Sequence, residues 1–401
     1  MKKRIVITGM GAVTPIGIGV EQYWNSLIEG QCGIEKITRI DTENIPVKTA
    51  AEVKNFNSKD YFSARLADDL DIFMQFAYVA AEEAMEDSGL KADMRTGIVM
   101  GTALAGLTLI GETQEDLTKN NTHVSPRFVS KILGNTAAAH FSINHGIKGP
   151  SLTVSTACSS GGDAITTASM LLNTGAADSV VVMGGESVVS PLFIHSLYKA
   201  GAISKRGESH PFSKNRDGFV IGEGGGSIIL ETLEHALARN ADIKGELLAC
   251  ANNTDAYHSV TPHPEGAGAY ACMKTAIESA NLNPCDIGYL NAHGTSTEKG
   301  DAAETKAINR IFKDYQVPVS STKGATGHMM GAGGITEVIT CIKAISSGIL
   351  PPNINYTEKD EACILNLIEN EMIHKNIDIA MSNSFGFGGQ NSCIIVGRYL
   401  K

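Results

Sequence analysis

The 401-residue sequence has one tryptophan, no CxxC pair and no Cys/His cluster at zinc-ligand spacing, and no stretch approaches the about 18 consecutive apolar residues of a membrane span. Those absences set aside zinc-ribbon, dithiol-redox and helical membrane proteins. The start, MKKRIVITGMGAVTPIG, is basic, but Thr8, Gly9, Gly11 and Pro15 break its apolar run, so a signal peptide is not expected. Positive charge is also short: 33 Lys+Arg against 43 Asp+Glu give a net charge of -10, the wrong sign for binding phosphate backbones. Nucleotide motifs fail as well. Gly9-Met10-Gly11 has Thr14 where GxGxxG needs its last glycine, and no GxxxxGK[ST] occurs. The eight cysteines, at 32, 158, 250, 272, 285, 341, 363 and 393, read as scattered thiols of a cytoplasmic protein, most of them in its core.

What is present is a packed globular composition, 43% hydrophobic and 19% charged. A single core stops growing at roughly 250–300 residues, so two domains or two fused halves are expected. Arg4 to Ile7 reads as a short buried strand, and Tyr61 to Gly89 as one amphipathic helix, with Leu66, Leu70, Phe73, Ala77, Ala81 and Ala84 stepping by three and four and Gly89 as its C-cap. Strands recur at Thr96–Gly101, Ser151–Ala157 and Ser179–Gly184, with a helix at Gly162–Asn173. The second part repeats the plan, with strands near Glu246–Ala251, Ile287–Ala292, Val317–Ser321, Ile377–Met381 and Ser392–Val396 and helices near Ala267–Ala280, Ala302–Phe312 and Gly334–Ser346. This is α/β alternation in two copies of a βαβαβ unit, with residues 1–240 and 241–401 as the halves and no Pro- or Ser-rich linker between them.

Both halves place a Gly-rich turn between a strand and a helix, at Thr156-Ala157-Cys158-Ser159-Ser160-Gly161-Gly162 and at Ser321-Thr322-Lys323-Gly324-Ala325-Thr326-Gly327-His328. Ligands of open α/β sheets bind at the carboxyl ends of strands, so these turns are expected to face one crevice. Cys158 would sit at a helix N-terminus, where partial positive charge lowers a thiol pKa and favours the reactive thiolate. His293, in Asn291-Ala292-His293-Gly294-Thr295-Ser296-Thr297, follows a strand, and His328 closes the second turn. A lone cysteine or histidine is usually structural; one cysteine and two histidines at strand ends of opposite halves are harder to dismiss. Lys323 stands five residues before His328, and Glu337 on the next helix is its candidate partner. Near the end, Phe385-Gly386-Phe387-Gly388-Gly389 sets two aromatics among glycines, either a plugged turn or a mobile gate whose backbone N–H groups reach a substrate oxygen.

In order, Thr156-Ala157-Cys158-Ser159-Ser160, Asn291 to Thr297, Ser321-Thr322-Lys323 with Gly327-His328, and Gly386-Phe387-Gly388-Gly389 resemble the elongating β-ketoacyl-acyl carrier protein synthases of class I/II, most like class II. The resemblance runs from Val6-Ile7-Thr8-Gly9-Met10-Gly11 to the last strand. It implies a thiolase-like fold, five layers α-β-α-β-α from two duplicated halves, and a homodimer, with a heterodimer as the other arrangement. It further implies Cys158 as the acyl-carrying nucleophile, the N–H groups of Cys158 and Phe387 as oxyanion donors, His293 and His328 as donors to an enolate, and Lys323 with Glu337 as a tuning pair. Thr295 and Thr297 match positions that hold a pantetheine arm, Leu104 and Leu197 acyl-pocket positions, and Phe385 and Phe387 the gate. No metal or organic cofactor is required by that chemistry, and the implied partner is an acyl carrier protein bearing acyl or malonyl groups. The two histidines set the chain apart from condensing enzymes that pair Cys with His and Asn, Cys158 from nucleophile-less chain-length factors, and Phe387 from thiolases with a second cysteine there.

The sequence departs from that family at the expected docking surface. Asp68 and Asp69 stand where Arg or Lys is common, Gly201 where Arg is often found, and Gln390 where Thr is common. Arg65, Arg127, Lys131 and Lys199 remain as candidate docking cations. Fatty acid elongation is therefore weighed against a ketosynthase of a specialised polyketide or polyene pathway.

Overall fold

The computed structural model describes residues 3–121 and 123–400. The first half runs through β1 (Ile5–Thr14), α1 (Ile72–Ser88), β2 (Thr96–Gly101), β3 (Ser151–Val154), α2 (Ser160–Asn173), β4 (Ser179–Glu186) and β5 (Gly224–Thr232). The second runs through β6 (Gly245–Thr254), α3 (Ala267–Ser279), β7 (Tyr289–Asn291), α4 (Glu298–Ile311), β8 (Val319–Ser320), α5 (Met330–Ser347), β9 (Ile379–Gly386) and β10 (Gln390–Gly397).

Within each half the strands lie in the same order, third, second, fourth, fifth, first: β3-β2-β4-β5-β1 and β8-β7-β9-β10-β6. The senses repeat too. The first two pairings of each half are parallel and the last two antiparallel. The halves are also joined edge to edge, because Ile5–Ile7 of β1 pairs antiparallel with Gly245–Leu247 of β6. Helices α2 and α5 lie between the halves, each touching strands of both, while α1 covers the outer face of the first half and α3 with α4 the outer face of the second. That stacking makes five layers. Helix α5 is buried along nearly its whole length, which fits a largely apolar sequence whose buried polar side chains, Glu337 and Thr340 among them, have partners.

The glycines of the opening motif serve packing. A Cβ at Gly11 would lie 1.9 Å from the Ala80 carbonyl oxygen, and one at Gly225 2.3 Å from that of Phe76. Strands β1 and β5 therefore approach α1 closely enough that no side chain fits. The single helix expected over Tyr61–Gly89 is instead two: a short helix Ala64–Asp69, then α1 from Ile72. Leu70 is extended (φ -107, ψ 130), and Gln75 Nε2 donates to the Ala67 carbonyl at 3.3 Å and the Leu70 carbonyl at 3.0 Å, occupying acceptors that a continuous helix would have bonded internally. Gly89 caps α1 in the left-handed conformation, as expected. Of the seven cysteines read as bland, Cys272, Cys341, Cys363 and Cys393 are buried, whereas Cys32 and Cys285 are exposed.

Candidate active site

The Cys158 turn is built before it is chemical. Ala157 takes φ 51, a left-handed conformation costing a non-glycine residue about 1–2 kcal/mol, and this lifts Cys158 off the end of β3. The turn is pinned by the Ser160 hydroxyl, which donates to the Ala157 carbonyl at 2.6 Å and accepts from the Thr156 N–H at 2.9 Å. Asp163, one turn into α2, accepts from the Thr156 hydroxyl at 2.6 Å and the Ser159 hydroxyl at 3.0 Å. Cys158 thus sits just ahead of the helix and is 8% exposed.

The second half delivers the basic groups to the same place. His293 follows β7, and the turn it opens is held by the buried Glu304 of α4, which accepts from the His293 N–H at 2.9 Å and the Gly294 N–H at 2.8 Å. Asn383 of β9 donates to the same carboxylate at 3.2 Å. His328 is fixed through its backbone, its N–H donating to the Val220 carbonyl at 2.8 Å and its carbonyl accepting from the Gly222 N–H at 3.0 Å. The two imidazoles meet edge to face with centroids 5.3 Å apart, Phe219 abuts His328 at 5.2 Å, and Phe385 lies 5.9 Å from His293. His293 Nδ1 and both ring nitrogens of His328 have no hydrogen-bond partner among the described residues. Buried, unpaired ring nitrogens are costly unless a ligand takes them up.

Burial, followed by the nearby Lys323 charge, holds both histidines well below their ordinary pKa, so both are neutral at physiological pH. A neutral imidazole can donate one N–H to a developing oxyanion without having to lose a proton first. Lys323 pairs with Glu337, both side chains 3% exposed, and burial raises the Glu337 carboxyl. The expectation of a depressed Cys158 pKa is not met at rest. Burial pushes the thiol up to about 11, against the opposing pull of the Phe387 N–H, the Lys323 charge and its own N–H. Both backbone N–H groups nevertheless reach the sulfur, where they favour the thiolate, and they stand beside the place a thioester carbonyl oxygen would occupy.

The remaining expected residues fall around this centre. Phe387, 37% exposed, lies in the tight link between β9 and β10, where the Gly388 N–H donates to the Ser259 carbonyl at 2.8 Å and the Gly389 carbonyl accepts from the Asp255 N–H at 2.8 Å. Thr295 and Thr297 follow His293 with their hydroxyls 3.1 Å apart. Leu104 and Leu197 join Cys158 in one apolar cluster with Ile194, Ile203, Phe219 and Met330. The docking cations fare differently. Arg127 is ion-paired to both Asp68 and Asp69, so it is not a free charge.

Three carboxylates in the supporting structure escaped sequence reasoning: Asp163, Glu304 and Glu186. Glu186, at the end of β4, accepts from the Ala103 N–H at 2.7 Å, the Leu104 N–H at 3.2 Å and the Gly331 N–H at 3.2 Å, while burial lifts it to about 7. Only Asp163 left a local trace, an acid in the first helical turn four residues after Ser159.

The chain matches the beta-ketoacyl synthase N-terminal domain over residues 2–236 and the C-terminal domain over residues 244–357. It is 38% identical to 3-oxoacyl-[acyl-carrier-protein] synthase 2 of Coxiella burnetii and 39% identical to that of Staphylococcus aureus, each alignment covering 99% of both chains. Among solved structures, the ishigamide ketosynthase/chain length factor superposes with TM-score 0.95 at 30% identity over 100% of both chains. A type II polyketide ketosynthase, bound to the hexaketide and in complex with its acyl-carrier protein, superposes at 0.91 with 30% identity over 100% of both chains. Family domains and full-length relatives agree with the geometry: the chain belongs to the β-ketoacyl synthase family, of thiolase-like fold.

Proposed function

We propose that the protein extends an acyl chain by two carbons through decarboxylative condensation with a malonyl group on an acyl carrier protein, in fatty acid biosynthesis. The single observation that carries this is the meeting of Cys158, two neutral histidines with unpaired nitrogens, and the two N–H groups aimed at the sulfur. In the first step Cys158 sulfur attacks the carbonyl carbon of an acyl thioester. The carrier's C–S bond breaks, its thiol leaves with the Cys158 proton, and the N–H groups of Cys158 and Phe387 bind the oxyanion. In the second, the malonyl C–C bond breaks and CO2 leaves. His293 and His328 donate to the enolate oxygen, and the carbanion attacks the acyl-Cys158 carbonyl, releasing the thiolate to be reprotonated. Lys323, held by Glu337, biases the site toward negative charge; Thr295 and Thr297 bind the pantetheine arm, and Phe385 and Phe387 gate the passage.

The partner is an acyl carrier protein, and the assembly a homodimer. The exposed edge strand β3, with Leu152 45% and nearby Ile143 77% exposed, supports a covering by a second copy. No helix among the described residues is long and apolar enough to cross a membrane, and we place the protein in the cytoplasm. We also place the division of the halves at 240/241, in the segment separating β5 from β6. One observation favours a second reading, a specialised polyketide or polyene ketosynthase: Asp68 and Asp69 consume Arg127 at the surface expected to meet an acidic carrier. Equal turnover with the carrier protein of general fatty acid synthesis would remove that reading.

The testing experiment is intact-mass measurement after incubation with a panel of acyl-carrier thioesters, wild type beside Cys158→Ala. A mass gain of one acyl group, lost in the variant, is expected; absence of any gain in the wild type would overturn the proposal.

A further inference from the structure

Met330 is a side chain in contact with the nucleophile that no step above uses. Its Sδ lies 3.9 Å from Cys158 Sγ, and it is 5% exposed. Its backbone takes φ 45, a left-handed conformation costing about 1–3 kcal/mol for a non-glycine residue, at the first residue of α5 and two residues after His328. The surroundings impose that conformation. The next N–H, of Gly331, donates to Glu186, and a Cβ at Gly331 would lie 2.7 Å from Thr102 Cα and 2.8 Å from the Ala103 nitrogen. The same Glu186 carboxylate accepts from Ala103 and Leu104. One buried acid therefore ties the Met330 turn to the loop carrying Leu104, and the strained backbone aims the thioether at the sulfur.

The apolar cluster around Cys158 is closed from solvent, with Cys158 8%, Met330 5%, Leu197 7% and Phe219 4% exposed. One small space elsewhere in the cluster, about 10 Å³ between Val47, Thr49, Ile194, Ile203 and Phe219, is near that of one water molecule and borders neither Cys158 nor Met330. An acyl group on Cys158 must displace something. Ile194 and Ile203 are β-branched and stiff, and Phe219 meets His328 edge to face, whereas methionine is unbranched, with three rotatable bonds.

Building on the acyl-transfer reading, we propose that Met330 is a specificity-determining residue: it fills the first stretch of the acyl path beside Cys158 and swings aside to admit longer chains, while Glu186 fixes where it pivots. The thioether weighs little against an acetyl group, which reaches only one methyl beyond the thioester carbonyl, and most against chains that must pass it.

The test compares rates of Cys158 acylation by acetyl and octanoyl thioesters of N-acetylcysteamine, read by intact mass, in wild type, Met330→Phe and Met330→Ala, with melting temperatures beside them. Met330→Phe, which cannot vacate the path, is expected to lower the octanoyl-to-acetyl rate ratio at least tenfold, and Met330→Ala to raise it. A residue that merely supports the fold would move both rates together. If Met330→Phe does not fold, the Met330→Ala ratio decides. An unchanged ratio in the folded variants overturns the proposal. A wild type that neither these thioesters nor acyl-carrier thioesters acylate overturns the acyl-transfer reading itself, and this inference with it.

Discussion

The two halves share strand order and strand sense, yet what stands at matching strand ends differs. After the second strand, the first half carries the Leu104 loop of the apolar cluster and the second half carries His293. After the third strand, the first half makes a five-residue link holding Cys158, and the second a longer link holding Lys323 and His328. Duplication explains why four turns converge: α2 and α5 pack against each other between the halves and bring their preceding turns face to face. Divergence then divided the labour. In the proposed mechanism the first half holds the covalent bond and the chain, and the second supplies most of the groups that meet negative charge, beside the Cys158 N–H.

The outer layers give the largest way to break the comparison. The first half packs α1 against glycine backbone at Gly11 and Gly225, whereas the second packs α3 on Ala249 and Ala251. Gly11→Val is expected to destabilise by at least about 3 kcal/mol, since its Cβ would meet backbone that cannot retreat; soluble yield and melting temperature check it. Next comes the Lys323–Glu337 pair. Lys323→Met strands a buried carboxylate at a cost of about 3–5 kcal/mol, and adding Glu337→Gln should recover more than half, as chemical denaturation of both variants would show.

A third prediction concerns Cys158. With its thiol pushed up to about 11, carbamidomethylation of the Cys158 peptide should rise about tenfold per pH unit between pH 7 and 9. A flat profile would mean that the helix terminus outweighs burial. Glu186 and Asp301, the latter a buried acid of α4 that accepts from the Phe212 N–H at 2.8 Å, set a fourth. Burial raises both carboxyls to about 7, so the folded state binds protons more tightly than the unfolded chain. Their contribution to stability is full at acidic pH and is lost as pH rises from the ordinary carboxylate range to about 7. Glu186→Gln should flatten that decline in pH-dependent unfolding. The smallest effect is at the proposed pantetheine contact, where Thr295→Val should raise KM for carrier thioesters severalfold and leave intact-protein melting near the wild type.

What the sequence made legible was what neighbours in the chain determine. The strands expected at Thr96–Gly101 and Ser179–Gly184 and the Gly89 cap follow from local pattern, as do the strands expected at Ser151–Ala157, Ile287–Ala292 and Val317–Ser321, so Cys158, His293, Lys323 and His328 could be placed at strand ends. The partnership of Lys323 with Glu337 showed only as a candidate, since Lys323 stands seven residues before α5 and Glu337 two turns into it. Longer-range contacts stayed hidden. Nothing local says that Glu304 holds the His293 turn, that Gln75 caps the break at Leu70, or that Arg127 is spent on Asp68 and Asp69. The thiol pKa was misjudged for a related reason: the helix terminus is visible in sequence, while the burial that outweighs it is not.

The division of labour between halves is tested most directly by giving His293→Ala and His328→Ala an acyl-carrier thioester and then labelled malonyl-carrier, measuring acyl-Cys158 by intact mass and released CO2 in the same samples. Both variants should still acylate Cys158 while CO2 release and condensation fall about 100–1000-fold, the loss typical of one oxyanion donor. CO2 release at the wild-type rate, or loss of acylation together with condensation in folded protein, would contradict the account.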